Sequence, residues 1–297
     1  MKILLDAMGG DNAPKSTVQG AADAVKEFGD GMTLALLGDE AKIKAAAQEL
    51  GVDLTPFELI HCTEDVDMHD DPVKAVRHKT DSSLVKGLTM LKNGEADAFV
   101  SAGSTGALHV GTSLIVRTVK GVKRPALATC MPGKKQPFLL LDCGANAECT
   151  PEFLLQFGLV GSVYAKKQLG VENPKVGLLN IGTEDSKGTA LQKEAYALLK
   201  DAGEKGLVNF VGNVEARDVP LGAVDVVVCD GFNGNVLLKT IEGTAMFMGS
   251  LMKRMFKKNL LSKLGYLLCA SGVKDLMKML DYREICLLYT SDAADEL

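Results

Sequence analysis

The sequence lacks a surplus of positive charge, which bears on the partners it could bind. Its 33 lysines and arginines are outnumbered by 38 aspartates and glutamates, so the net charge is −5 with histidine neutral. Nucleic-acid backbones are bound by clustered cations. We therefore expect no nucleic-acid partner.

Paired cysteines and long apolar runs are also missing. The 7 cysteines are odd in number and show no Cys-x-x-Cys spacing, which disfavours a disulfide framework and a zinc site. No run reaches the roughly 18 apolar residues of a membrane span. Asp6 interrupts the first apolar run too early for a signal peptide. We expect a cytoplasmic protein without a metal ion.

Short apolar runs alternate with helical patterns along most of the chain. Such runs predict strands covered on both faces, and hence an α/β domain with a mostly parallel sheet. Residues 125–130 and 137–142 flank a Pro-Gly turn and predict one antiparallel hairpin. From Gly234 to about Leu280 the pattern is almost entirely helical. The predicted strands lie near residues 2–6, 33–37, 57–61, 97–101, 125–130, 137–142, 175–180, 207–211 and 224–229.

Five predicted strands end in a turn of small and polar residues that opens a helix. The carboxyl ends of parallel strands share one edge, where ligands bind, and helix N-termini favour anions. Any one turn could be a plain connection, but five together predict an anion-binding crevice. None has Gly-x-Gly-x-x-Gly or P-loop order, which disfavours common dinucleotide and nucleoside triphosphate sites. The turns are Asp6–Asp11, Ser101–Gly106, Asp142–Asn146, Asn180–Gly188 and Asp230–Asn235.

Three side chains within these turns could act on an anion. Lys187 lies just before a helix, where a cation suits a phosphate or a developing oxyanion, although a solvated surface lysine is the alternative. Asn146 and Asn233 could donate amide hydrogen bonds to a substrate. Alternatively, they stabilise their own turns.

Two segments are rich in cations. Residues 71–83 include Arg77 and Lys79 and are either an anion-steering rim or an exposed helix. Residues 246–264 combine apolar positions at helical spacing with a basic face. They predict an amphipathic helix for an anionic membrane or an acidic protein, or else a core or dimer helix. The cations of that face are Lys253, Arg254, Lys257 and Lys258.

Taken in order, the five turns resemble those of the phosphate acyltransferase family, over residues 2 to about 285. The resemblance implies transfer of a fatty acyl group from acyl carrier protein to inorganic phosphate, giving acyl phosphate for phospholipid (phosphatidic acid) synthesis. It implies a three-layer α/β/α fold like the isocitrate and isopropylmalate dehydrogenases, without a nicotinamide cofactor or metal. A homodimer with peripheral membrane association is implied as well.

The resemblance also implies roles for individual residues. Lys187 and Asn233 match the family's catalytic positions. Phosphate is already partly a dianion at neutral pH, so the site needs to position it and stabilise an oxyanion rather than supply a strong base. The four cations of residues 253–258 would meet carrier protein or lipid. The expected substrate-binding residues are Gly9, Gly10, Asp11, Ser104, Thr105, Gly106, Asn146, Arg77 and Lys79.

Two other functions remain open at this point. One is a coenzyme A-dependent phosphotransacylase, and the other is a non-catalytic, membrane-peripheral adaptor that binds anions. Residues 1–285 are predicted to form a single domain. Residues 286–297 depart from the family, which continues there into a Gly-rich segment, and we interpret them as an atypical tail.

Overall fold

The structure, a computed structural model, describes residues 1–118 and 120–280. These residues divide into two compact units on either side of the Pro125–Ala126 bond. The strands form one sheet of four and one of five, where the sequence predicts a single sheet. Apolar periodicity identifies strands but does not say which strands pair, and this accounts for the difference. The predicted single domain over residues 1–285 stays a prediction, and the tail at 286–297 lies outside the described residues.

The first unit holds a parallel sheet in the order β3-β2-β1-β4. This unit also contains a short 3₁₀ turn at Gly29–Gly31 and a π-helical turn at Thr112–Val116. Its elements are β1 (Lys2–Asp6), α1 (Lys15–Phe28), β2 (Thr33–Gly38), α2 (Glu40–Leu50), β3 (Phe57–His61), α3 (Pro72–His78), α4 (Ser83–Lys92), β4 (Ala98–Val100) and α5 (Thr105–Gly111).

Helices cover both faces of this first sheet. Leu34 and Leu36 of β2 pack with Ile43 of α2 in one buried cluster. The alternate residues of β2, Ala35 and Leu37, face a second cluster on the other side. Because successive strand side chains point to opposite faces, the continuous apolar run of β2 fits a strand buried between two layers.

The second unit holds a sheet in the order β5-β6-β9-β7-β8. The β5–β6 pair is antiparallel, which confirms the predicted hairpin, and the other pairs are parallel. Its elements are β5 (Ala128–Met131), β6 (Phe138–Leu141), α6 (Pro151–Gln168), β7 (Lys175–Asn180), α7 (Ala190–Glu204), β8 (Asn209–Glu215), β9 (Val226–Val228), α8 (Gly231–Lys257) and α9 (Leu260–Leu280).

The core of the second unit lies between this sheet and helices α6 and α7. Leu154 and Phe157 of α6 and Leu199 of α7 are buried against the valines and leucines of the strands. A Cβ at Gly161 would lie 2.7 Å from Cγ1 of Val226, so this glycine lets α6 approach β9 closely. Helix packing thereby fixes the central strands whose ends carry the polar turns.

The C-terminal part of the described chain is helical, as predicted, but residues 246–264 do not form one helix. Helix α8 ends at Lys257 and α9 begins at Leu260. Asn259 caps α9, because its Oδ1 accepts a hydrogen bond from the Ser262 amide at 2.8 Å. The prediction of a single amphipathic helix is therefore wrong. Among residues 1–118 and 120–280, no helix is long and apolar enough to span a bilayer.

Candidate active site

Three strands of the second sheet end in polar residues along one edge. Leu141 of β6 and Leu178 of β7 both pair with Val228 of β9. Asp142, Asn180 and Asp230 follow these positions within one or two residues. They therefore share the carboxyl edge of the sheet, where ligands bind in parallel α/β folds.

The Asp142 side chain organises the first of these turns. It is fully buried, and its Oδ1 accepts from the amides of Leu127 at 3.0 Å and Ala145 at 3.1 Å. Its Oδ2 accepts from the amide of Asn146 at 2.6 Å and from Asn146 Nδ2 at 2.8 Å. The buried carboxylate is thus satisfied by four donors. Asn146 acts here as a turn stabiliser, which is the alternative raised by the sequence, and its substrate role stays a prediction.

Asp230 caps helix α8 beside that turn. Its Oδ1 accepts from the Asn233 amide at 2.9 Å, and its Oδ2 accepts from Asn233 Nδ2 at 2.6 Å. The Gly231 amide donates to the Asn146 carbonyl at 2.7 Å. A Cβ at Gly234 would overlap the Asp142 carbonyl oxygen. The start of α8 therefore rests directly on the Asp142–Asn146 turn, and the structure brings Asn146 and Asn233 together.

Lys187 lies in the loop that follows the neighbouring strand β7. Asn180 fastens this loop, because its Nδ2 donates to the Lys187 carbonyl at 3.1 Å and its Oδ1 accepts from the Ile181 amide at 2.8 Å. The Lys187 side chain is 47% exposed, and its ammonium lies 4.0 Å from the Glu184 carboxylate. Lys187 is thus a solvent-accessible cation at the same sheet edge as the start of α8.

A second cluster of turn residues lies in the first unit, around the buried Asp6. Its Oδ1 accepts from Ser83 Oγ at 2.5 Å and from the Met8 amide at 3.1 Å, and its Oδ2 accepts from Ser101 Oγ at 2.7 Å. Burial raises the pKa of this carboxyl group, while the hydrogen bonds from Ser83 and Ser101 act in the opposite direction. A Cβ at Gly9 would lie 2.7 Å from the Gly103 amide nitrogen. The turns after β1 and β4 are therefore tightly joined.

The other substrate-binding candidates of the first unit sit around these two turns. Ser104 is buried and caps α5 by accepting from the Ala107 amide at 3.3 Å. A Cβ at Gly106 would lie 3.0 Å from Cγ of Pro72, so α5 contacts the start of α3. Gly10, with φ of +98°, adopts a left-handed conformation that favours glycine. Asp11 is exposed and Thr105 is partly buried.

Arg77 and Lys79 lie at the end of helix α3 in different settings. Arg77 is exposed. The Lys79 ammonium lies 2.5 Å from the Asp70 carboxylate and donates to the Asp65 carbonyl at 2.9 Å. The hydrogen bond between the Lys79 ammonium and the Asp70 carboxylate lowers the pKa of Asp70 and raises the pKa of Lys79. Lys79 is therefore already paired with an acid, and a substrate role for either cation stays a prediction.

The five turns thus fall into two groups, with two in the first unit and three in the second. The expectation that all five line one crevice stays a prediction. Asp6, Asp142 and Asp230 lie within the sequence motifs, but the motifs predicted no role for their carboxylates. Their shared signal was available, since each is an aspartate that follows an apolar strand and precedes a glycine-containing turn.

The basic face at the α8–α9 junction is exposed. Lys253, Arg254, Lys257 and Lys258 are all exposed and form no ion pair with any other residue that the structure describes. Leu260 and Leu261, at the start of α9, are 83% and 79% exposed. No group of three or more His, Cys, Asp or Glu side chains in the described ranges could hold a metal ion.

Comparison with known proteins identifies the family. A family model described as "Fatty acid synthesis protein" matches residues 1–286. Phosphate acyltransferase from Alkaliphilus oremlandii is 49% identical over 284 residues, covering 96% of this chain and 83% of that protein. The chain belongs to the phosphate acyltransferase family. The relative from Clostridium tetani, with the same name, is 46% identical over 96% of this chain and 84% of its own length. The predicted family and the prediction of an acyltransferase are confirmed.

Solved structures support the fold class. A phosphotransacetylase from Streptococcus pyogenes matches with a TM-score of 0.60 and 19% identity, over 83% of this chain and 82% of that one. The phosphotransacetylase EutD from Staphylococcus aureus matches with a TM-score of 0.59 and 19% identity, over 82% of each chain. At this level of identity the likeness concerns the fold, and it confirms the predicted α/β class.

Proposed function

We propose that this acyltransferase moves a fatty acyl group from acyl carrier protein to inorganic phosphate, and that the acyl phosphate is used for phosphatidic acid synthesis. The names of its relatives support phosphate as the acceptor. The observation that carries the proposal is the accessible Lys187 ammonium at the same sheet edge as the N-terminus of α8. A cation and a helix N-terminus are the two features that favour a phosphate.

In this reaction a phosphate oxygen attacks the thioester carbonyl. The new carbon–oxygen bond forms, the carbon–sulfur bond breaks, and the carrier thiol leaves with its electron pair and takes up a proton. Lys187 and Asn233 stabilise the phosphate and the tetrahedral oxyanion. Asn233 Nδ2 carries two hydrogens and donates one to Asp230, which leaves the second for substrate. The substrate-binding residues of the proposal are Gly9, Gly10, Asp11, Ser104, Thr105, Gly106, Asn146 and Arg77, whereas Lys79 is left out because its ammonium is paired with Asp70.

The test is release of free carrier thiol from palmitoyl-acyl carrier protein. Release should depend on phosphate, and Lys187→Ala should lower its rate by roughly 10²–10³-fold, the usual effect of removing an oxyanion-stabilising group. Lys193→Ala is the matched control, since Lys193 is an exposed lysine of the adjacent helix α7. Phosphate-independent release, or none, would contradict the proposed reaction. A normal rate for Lys187→Ala would remove this lysine from the mechanism.

The acyl donor is tested by comparing palmitoyl-acyl carrier protein with palmitoyl-coenzyme A. We expect the carrier protein to be preferred, because the exposed cations at the α8–α9 junction attract an acidic partner. Charge reversal at Lys253 and Arg254 should weaken this preference, and it should become smaller at high salt. Equal or faster turnover of the coenzyme A thioester would instead favour a phosphotransacylase.

We further propose a cytoplasmic homodimer that associates peripherally with the membrane through the α8–α9 junction. Exposed Leu260 and Leu261 next to four exposed cations have the composition of an interfacial segment. Co-sedimentation with anionic vesicles, but not neutral ones, is the expected result. Vesicle binding without turnover of any acyl thioester would favour the adaptor, and light scattering at the mass of one chain would rule out the dimer.

A further inference from the structure

Strand β8 carries a buried asparagine that reaches the loop of Lys187. Asn213 pairs in register with Leu178 of the neighbouring strand β7 and is only 9% exposed. Its Nδ2 donates to the Glu184 carbonyl oxygen at 2.7 Å. The same carbonyl accepts from the Lys187 amide at 3.2 Å. Asn213 is therefore one hydrogen-bonded carbonyl away from the backbone of Lys187.

The loop is held from both sides by neutral amides. Asn180 of β7 donates to the Lys187 carbonyl, and Asn213 of β8 donates to the Glu184 carbonyl. These two bonds tie the segment between Glu184 and Lys187 to two adjacent strands of the sheet. The Lys187 backbone is thus fixed while its side chain stays accessible, as a catalytic cation requires.

The side-chain oxygen of Asn213 indicates that packing alone does not account for an asparagine at this position. Its Oδ1 is buried and has no hydrogen-bond partner among the residues that the structure describes. An unpaired buried acceptor lowers stability, and an apolar side chain of similar size would avoid that loss. The contribution of Asn213 therefore rests on its single bond to the Lys187 loop.

We propose that Asn213 is a positioning residue, which sets the place of the Lys187 ammonium by holding the Glu184 carbonyl. It acts through the loop and touches no substrate. The inference rests on the proposed role of Lys187 in phosphate acyl transfer.

The first experiment is Asn213→Leu in the full chain. Misplacing a catalytic group by about 1 Å costs on the order of 10²-fold in rate, so we expect kcat to fall by that factor while KM changes little. The melting temperature should stay within about 4 °C, since one bond and one unpaired acceptor are lost together. Asn209→Leu is the matched control. Asn209 lies on the same strand, and its Nδ2 donates to the Asn173 carbonyl at 3.2 Å, near the strand's opposite end.

Asn213→Thr provides a second variant in case the leucine does not fold. Threonine suits a strand, and its hydroxyl is too short to reach the Glu184 carbonyl. The same loss of kcat is expected. A wild-type kcat in either folded variant, or an equal loss in the Asn209→Leu control, would overturn the proposal.

A double-mutant cycle separates positioning from a general structural role. If Asn213 acts through Lys187, adding Asn213→Leu to Lys187→Ala causes no further loss of kcat. Multiplying losses would show that Asn213 acts elsewhere and would overturn the inference. Failure of the proposed function looks different, because the wild type would then show no phosphate-dependent thiol release or Lys187→Ala would keep its full rate.

Discussion

Replacing Asp142 by alanine should destabilise the second unit by about 4 kcal/mol, far more than the typical effect of roughly 1 kcal/mol for a single substitution. The carboxylate is fully buried and accepts four hydrogen bonds, from Leu127, Ala145 and twice from Asn146. Bonds to a charged acceptor contribute about 1.5–3 kcal/mol each, and the buried donors left behind add their own desolvation cost. The substitution also removes a buried charge and so recovers part of its desolvation cost. This recovery reduces the expected net loss of stability to about 4 kcal/mol.

Equilibrium unfolding in urea, followed by circular dichroism, measures this loss as a lower midpoint. The matched control is Asp225→Ala. Asp225 also accepts two hydrogen bonds in this unit, from the Gln136 side chain and the Lys175 amide, but both bonds are solvent-exposed. Its loss should cost about 1 kcal/mol. If Asp142→Ala costs no more than Asp225→Ala, the carboxylate does not organise the turn and the reasoning fails.

Three further predictions concern other parts of the molecule. Gly188 has φ of +91°, and a Cβ there would lie 2.7 Å from Asn180 Oδ1, so Gly188→Ala should lower the acyl transfer rate while circular dichroism stays unchanged. A normal rate would contradict this. Burial raises the pKa of the Cys62 thiol to about 11, so at pH 8 maleimide should label exposed Cys269 before Cys62, as peptide mass spectrometry can show. Because burial raises the pKa of Asp6, its contribution is largest at acid pH and is lost as pH rises through the folded-state value. The stability of the wild type relative to Asp6→Asn should then fall as the pH rises above about 4, the ordinary pKa of aspartate, and a rise would contradict the shift.

Much of the fold could be predicted because local chemistry determined it. Apolar runs such as Thr33–Gly38 are buried on both faces, so their continuous hydrophobicity predicted the strands. The hairpin was predictable from a Pro-Gly turn between two such runs. The turns were visible for the same reason, since small residues interrupt the apolar pattern where each strand ends.

Contacts between distant parts of the chain could not be predicted in this way. Ser83 donates to Asp6 across 77 residues, and no local pattern connects them. The division into two sheets depends on hydrogen-bond pairing, which apolar periodicity does not encode. The break between α8 and α9 had a weak local signal in Asn259, a good N-cap residue, but the basic and apolar spacing continued across it.

Sequence patterns also could not show which cations are paired with an acid, and the structure distinguishes two lysines in this respect. From the sequence, Lys187 was predicted to be a catalytic cation and Lys79 a substrate-binding one, so both were expected to face an anion. The Lys79 ammonium is paired with Asp70 at 2.5 Å, so an incoming phosphate would have to displace a carboxylate. The Lys187 ammonium lies 4.0 Å from the carboxylate of Glu184, whose side chain is 61% exposed, and such an exposed ion pair contributes little to stability.

Neutral amides hold the loop of Lys187, so its positive charge stays available for a phosphate. An ion pair holding the loop would instead neutralise that charge. We therefore expect Lys79→Ala to leave the phosphate dependence of the rate nearly unchanged, and a loss as large as that of Lys187→Ala would reverse this ranking.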